Sequence, residues 1–573
     1  MKRLILMMMA GVWCLCAWCI PAKRIPFTVT NSDGTVLTLV LCGDESYHFY
    51  ATTEGVPAVQ DENGDWRLAP ELADSISIRW TERLHQRNLR RIERAEHQRA
   101  RYVTGKQMAY EGKKKGIVIL VNFQDKNMKS DHTKAVFNDF FNKVGYNKDG
   151  NIGSVHDYFF DQSYGKFDLT FDIYGPVTTQ KNMAYYGQND PQDKSDMRVA
   201  TFAAEVITTA HYKYDINWKD YDWDNDGEVD QVYIIYAGVG EAGGGGVDAI
   251  WPHEWSLSAG QYYADGNGPL NFGGYTIDTY AAGDELRSRN SSKLNGIGTA
   301  CHEFSHCLGL PDFYDTSYEG GFGMNAWDLM DSGNYNGNTH SGECPVGYTA
   351  YERWWAGWLN FVELTEPCTI TNMPNLVDEP VAYNIRNDVN RNEYFTLENR
   401  QCTKWFQFVN TTNNCHGLLA CHVDYNAQAW EKNKANNDAK HQRMSIIPAG
   451  GEFGSLLGST YNVSPSQYQS QLFPGNKSVT ELTNDSHASC GGKLFGTNTD
   501  GTHNMNKPIT NIKESDDGLI SFDFMGGDQS AIRSLSLTLS QGDDIWYTLD
   551  GRKLSGQPST KGIYLRGGKK IAY

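Results

Sequence analysis

Hydrophobic residues fall into several distinct rhythms along this chain, and each rhythm predicts a different kind of element. Gly116-Ile117-Val118-Ile119-Leu120-Val121-Asn122-Phe123 is a continuous apolar run, the pattern of a strand covered on both faces. Residues 166–177 alternate apolar with polar and predict a second strand, residues 198–211 carry apolar positions at helical spacing, and Gln231 to Gly238 is again an apolar strand. Strands and helices intermix here, which predicts an α/β or α+β lobe beginning near residue 115. Val346 to Leu359, with Tyr, Trp and Leu at helical spacing, predicts a helix that closes this lobe. From about 360 to 525 the rhythm shortens to brief alternating strands, as at Ala382-Tyr383-Asn384-Ile385 and Tyr394-Phe395-Thr396-Leu397-Glu398, and predicts a β-sandwich-like accessory region.

The two ends read differently. Residues 1–20 start with Lys2-Arg3, continue as an apolar run and meet small residues near Ala17 to Ala22, the layout of a secretory leader. That run is short for a membrane span and no later run is long enough to be one, so no stable membrane insertion is expected. Residues 36–50 alternate and turn like short strands, and 83–101 form a polar, arginine-rich helical pattern. Arginines in such an exposed helix are also candidate cleavage sites.

The formal net charge of −18 argues against an electrostatic grip on nucleic acid or anionic lipid. Of the 12 cysteines, Cys14, Cys16 and Cys19 fall in or beside the leader; if Cys42 leaves with the N-terminal region, the other eight can all pair in an oxidising compartment. Glu241 to Val247 is glycine-rich but lacks the Lys-Ser/Thr of a phosphate loop, and reads as a flexible loop at the rim of a cleft.

The chemistry concentrates in Gly298-Thr299-Ala300-Cys301-His302-Glu303-Phe304-Ser305-His306-Cys307-Leu308-Gly309-Leu310-Pro311-Asp312. On a helix, His302 and His306 share one face, where two imidazoles can hold one metal ion, with Glu303 beside them as a base. A catalytic zinc takes three protein ligands and leaves a position for water. Gly309 can turn the chain sharply, Pro311 cannot continue the helix, and Asp312 then comes within reach as third ligand. A second set keeps the two histidines and draws the third ligand from Glu319 or Asp328. Farther upstream, Asp222, Asp224, Asp226, Glu228 and Asp230 place carboxylates at alternate positions with Gly227 after the third, a pattern suited to calcium. Tyr233 stands where an EF-hand would carry its bidentate Glu, so the reading is a calcium loop on a strand, against an acidic solvated turn as the plain alternative.

The zinc helix is followed by Gly323-Met324-Asn325-Ala326-Trp327-Asp328-Leu329-Met330-Asp331-Ser332-Gly333. Together they resemble the metzincin clan of metallopeptidases, in which a methionine in a tight turn forms a hydrophobic floor under the metal; Met330 matches it. The run Leu308-Gly309-Leu310-Pro311-Asp312-Phe313-Tyr314-Asp315 is similar to the immune inhibitor A family of secreted bacterial metallopeptidases, and the likeness extends to the Asp222–Asp230 loop. The resemblance implies a multidomain protein, with an α+β metzincin-like catalytic domain followed by an all-β accessory domain. The division reads 1–20 leader, 21–114 pro-region, 115–360 catalytic, 361–527 accessory and 528–573 sorting region. It further implies protein or peptide substrates laid along an edge strand, Zn2+ and Ca2+ as cofactors, and Tyr335 as an assisting hydroxyl. In a zymogen, Cys42, Asp44 and Glu45 are candidates to fill the open metal position. Residues 535–573 resemble the C-terminal β-domains that Bacteroidetes proteins use for outer-membrane secretion, with that machinery as partner and a secreted or cell-surface location; the alternative is a hairpin capping the sandwich. A competing reading from another class is a secreted metal-bearing adhesion protein whose peptidase fold is silent, against which Glu303 speaks.

Overall fold

The computed structural model describes residues 26–43, 48–72, 110–190, 196–316, 320–407, 415–484, 506–527 and parts of 546–572, apart from a few single positions within them. The leader, the arginine-rich stretch 83–101, Asp44, Glu45 and Glu319 lie outside the described residues. The chain is a mixed α+β multidomain protein. It begins with a five-stranded antiparallel meander in the order β1-β2-β3-β4-β5, built from β1 (Phe27–Thr30), β2 (Val36–Gly43), β3 (His48–Thr52), β4 (Pro57–Gln60) and β5 (Trp66–Leu68).

The apolar run at 116–123 lies, except for Phe123, within a longer strand, β6 (Gly112–Asn122), which is therefore under way before residue 115. With β7 (Phe167–Thr178), β8 (Val232–Tyr236), β9 (His253–Ser256) and β10 (Thr279–Asp284) it forms a sheet of order β7-β6-β8-β10-β9. All pairings are parallel except β9 with β10. Successive residues of a strand face opposite sides, and both sides are covered here. Val118, Leu120, Tyr233 and Ile235 pack in one apolar cluster with α1 (Lys134–Asn142), α2 (Val155–Gln162) and α4 (Ile297–Cys307). Ile117, Ile119, Val121, Val232 and Ile234 pack in another with α3 (Val199–Tyr214). The lobe therefore has helix, sheet and helix layers.

The closing helix is shorter than its apolar spacing predicts. Only α5 (Ala350–Trp355) is helical, because Thr349 caps its start together with Glu352, and Gly357 turns the chain at φ 81° just past its end. After it come a five-stranded sheet with Glu393–Arg400 and Gly417–Asp424 at its centre, and a three-stranded sheet of Cys368–Met373, Ile520–Phe524 and Ile509–Glu514. Phe395, Leu397, Leu418 and Ala420 join Phe522 and Phe524 in a core between these sheets. The alternate residues Tyr394, Leu419, Cys421 and Val423 join the apolar cluster that contains Phe304 of α4. The accessory region is thus buried on both faces and shares the core of the lobe before it. Residues Trp546–Tyr547, Ile563–Arg566 and Lys569–Ala572 form a three-stranded antiparallel sheet.

Candidate metal centre and active site

Helix α4 is wedged in place by close backbone contact. A Cβ on Gly298 would lie 1.8 Å from the Asn334 carbonyl oxygen, so only glycine fits there. At the other end, Trp355 Nε1–H donates to Leu308 O (3.0 Å) and the Tyr110 hydroxyl to Cys307 O (3.3 Å), satisfying carbonyls that a helix end leaves open. Gly309 then takes φ 83° and the chain reverses. That turn returns Asp312 to the face carrying His302 and His306.

The three side chains converge. His302 Nε2 and His306 Nε2 are 3.1 Å apart, and Asp312 Oδ1 stands 3.1 Å from the first and 3.5 Å from the second. All three residues are 1–2% exposed. Three donors bonded at about 2.0–2.1 Å to one tetrahedral zinc stand roughly 3.3 Å apart, so the observed triangle fits that ion. Ring orientation fits as well. His302 Nδ1 hydrogen-bonds Leu329 O and His306 Nδ1 hydrogen-bonds Leu310 O, both at 2.8 Å, which leaves each Nε2 lone pair turned to the common point. Burial alone would lower the His302 pKa; the hydrogen bond and charge of Asp312, with Glu303, outweigh it and raise it.

Glu303, next to His302 on α4, is 1% exposed. The Met330 turn is tied to two of the three converging residues: Leu329 O meets His302, and Met330 O accepts from the N–H of Phe313, the neighbour of Asp312, at 2.8 Å. Met330 itself is fully buried. Tyr335 is buried in the turn Ser332–Tyr335, which packs on α4, and its carbonyl accepts from Gly342 N–H. Asp328 is not among the converging residues: its Oδ1 accepts from Met330 N–H at 2.7 Å. The alternative third ligand is thereby set aside at that position, and Glu319 is not described.

Upstream, carboxylate oxygens of Asp222, Asp224 and Asp226 lie within 4.8 Å of one another. Glu228 and Asp230 do not join them. There Glu228 is held by an isolated bridge to Thr276, and Asp230, two residues before β8, accepts through Oδ2 from Trp223 N–H at 2.6 Å. The glycine-rich run is not a bare loop either, because Glu241 is fully buried beneath the N-terminal meander. Among the described residues Cys301, Cys402 and Cys421 stand as thiols, and burial pushes those of Cys301 and Cys421 well up. Cys42 is buried within its own meander beside Val40 and Ala51 rather than at the metal triangle.

With this geometry in place, the relatives of the chain are informative. Residues 105–358 match immune inhibitor A peptidase M6, catalytic domain. The chain carries a peptidase M6 domain of the immune inhibitor A family. It is 28% identical over 290 residues to the pre-pro-metalloprotease PrtV of Vibrio cholerae, covering 44% of this chain and 31% of that protein. It is 28% identical over 309 residues to immune inhibitor A of Bacillus thuringiensis subsp. alesti, covering 45% and 43% respectively. The chain therefore spans less than half the length of either relative.

Two features bearing on this M6 domain escaped the sequence pattern. One is Asn433, which meets Asp312 from a distant segment. The other is a carboxyl pair below the methionine turn. Asp328 and Glu352 are both fully buried and interact with one another; burial pushes Glu352 up to about 7 and, with the charge of Glu352, Asp328 well above its usual value. The pair keeps a proton in the folded state that the unfolded chain releases near its ordinary carboxylate pKa. The folded state therefore binds more protons between about pH 4.5 and pH 7, and stability falls as pH rises through that window. Glutamine at position 352 supplies the same hydrogen permanently. Thermal melts at pH 5 and pH 8 are expected to show a Tm loss smaller in Glu352→Gln than in the parent by roughly 5 °C. Equal losses would refute the shared proton.

Proposed function

We propose that this chain is a zinc-dependent endopeptidase, made as a zymogen and exported, that hydrolyses peptide bonds in proteins. The observation that carries the reading is the buried triangle of His302, His306 and Asp312 with Glu303 adjacent. A zinc ion held by the three ligands supplies Lewis-acid activation of water and of the scissile carbonyl. Glu303 accepts the proton of the attacking water and delivers it to the leaving amine. Tyr335 assists the developing oxyanion, and Met330 closes the floor of the site. Strand β9 ends the sheet, packs near α4 and runs antiparallel to its neighbour, which supports an extended substrate adding along it. Asp222, Asp224 and Asp226 are the calcium ligands of this reading. The test is casein hydrolysis by the processed protein, with and without a zinc chelator, beside Glu303→Gln. Activity that survives both would sink the proposal.

The N-terminal meander supports the zymogen. Leu41 and Tyr50 pack with Ala242 and Trp251, and the His48 ring stacks on Trp251 at 4.5 Å. His48 Nε2 meets Glu241 Oε2 at 3.0 Å, with both residues buried. Trp251 lies two residues before β9, so the meander sits over the approach to the proposed substrate strand. No helix among the described residues is long and apolar enough to cross a membrane. In an exporting host, the chain is expected in the medium or on the cell surface, carried there by residues 1–20 and, at an outer membrane, residues 528–573. There His48→Ala should raise casein hydrolysis by the uncleaved form several-fold. An uncleaved variant as silent as the parent would remove the meander from latency.

A further inference from the structure

The structure assigns to Asn433 the positioning of Asp312, and so makes the region after residue 360 part of the metal centre; this rests on the zinc reading above. Asn433 lies 121 residues beyond Asp312 and past residue 358, where the family match ends. Its amide grips Asp312 twice: Nδ2 donates to Asp312 Oδ2 at 2.5 Å, and Oδ1 accepts from Asp312 N–H at 2.7 Å. Asn433 is fully buried and Asp312 is 2% exposed, so water does not substitute for either bond. Holding Oδ2 leaves Oδ1 as the oxygen that faces the two imidazoles, at 3.1 and 3.5 Å. A carboxylate free to rotate can offer a metal either oxygen or both, and the second would take the position that water needs. The amide prevents this because its donor and acceptor are both engaged.

The segment around Asn433 is itself fixed. Asn433 has φ 52°, left-handed backbone that asparagine tolerates better than most residues. Thr316 Oγ1 donates to Asn433 O at 2.7 Å, and Asn436 Nδ2 donates to Phe313 O and Met444 O at 2.7 and 2.6 Å. Met444 begins the edge strand Met444–Ile446 of the five-stranded sheet. The third ligand is thus anchored by a loop of the so-called accessory region.

The experiment measures zinc affinity of the full chain by competition with a chromophoric chelator, and the visible spectrum of the cobalt-substituted protein, for the parent, Asn433→Ala, Asn433→Asp and Asn436→Ala. Asn433→Asp keeps an acceptor for Asp312 N–H but cannot donate to Oδ2. Both Asn433 variants are expected to bind zinc about 10–100-fold more weakly, with an altered cobalt spectrum. Asn436→Ala loosens the same loop without touching Asp312, and its affinity should stay close to the parent value. Parent-like affinity and spectrum in the Asn433 variants would overturn the assignment. So would an equal loss in Asn436→Ala, or failure of both Asn433 variants to fold, since either reduces Asn433 to loop packing. A parent that binds no zinc would instead strike at the metal reading itself.

Discussion

Glutamine in place of Glu303 is expected to lower kcat/KM for casein by about 10²–10⁴-fold while leaving the zinc content at the parent level. The two halves of that result are separable because the residue is adjacent to the ligands without being one: His302, His306 and Asp312 form the converging group, and Glu303 lies on the same helix beside His302. Glutamine preserves the size of the side chain and its capacity to hydrogen-bond a water. It cannot take up a proton. The loss should therefore appear mainly in kcat, with KM nearly unchanged, since the proposed binding of substrate along β9 would not involve the proton transfer. Glu303→Asp, one methylene shorter, keeps the base but withdraws it from the water, and should fall between parent and glutamine variant. Metal analysis of the same samples decides the interpretation. A variant that loses zinc together with activity would show that Glu303 supports the ligand set instead of moving a proton.

The sequence made the local chemistry legible and left the long-range support hidden, for a physical reason. His302, Glu303, His306, Gly309 and Asp312 are fixed to one another by helix periodicity and one turn, so their spacing alone predicts the triangle that forms. The apolar run at 116–123 likewise announced a strand covered on both faces, as β6 is. Asn433 has no such periodicity relation to Asp312; only the packing of the five-stranded sheet against the α4 cluster brings them together. The strand at 417–424 carried an unread cue: Leu418-Leu419-Ala420-Cys421 is continuously apolar where a sandwich free on one side would alternate, and every residue of that strand is buried. In the Asp222–Asp230 loop the alternate carboxylates suggested five ligands, but only Asp222, Asp224 and Asp226 converge, while Asp230 is engaged by Trp223 N–H and Glu228 by its bridge to Thr276. Local spacing sees neither event.

If the buried triangle holds zinc, as proposed, removing the ion should cost both turnover and stability. His306→Ala is expected to abolish measurable casein hydrolysis, and chelation by phenanthroline should do the same until zinc is returned. In the ion-free protein two imidazoles and a carboxylate are held 3.1–3.5 Å apart at 1–2% exposure, without the charge that makes the arrangement favourable. Protonation of His302, which Asp312 favours, relieves only part of that penalty. Zinc at 100–1,000 times its dissociation constant stabilises by about 3–4 kcal/mol, so the Tm should fall by roughly 5–15 °C on its removal. If Asp222, Asp224 and Asp226 hold calcium, as proposed, a calcium-selective chelator should lower the Tm by a few degrees while activity at low temperature persists. That contrast separates the two ions by position: Asp224→Asn should erase the response to calcium and leave the response to phenanthroline intact. If His306→Ala binds zinc as the parent does and still hydrolyses casein, the triangle is not the metal centre.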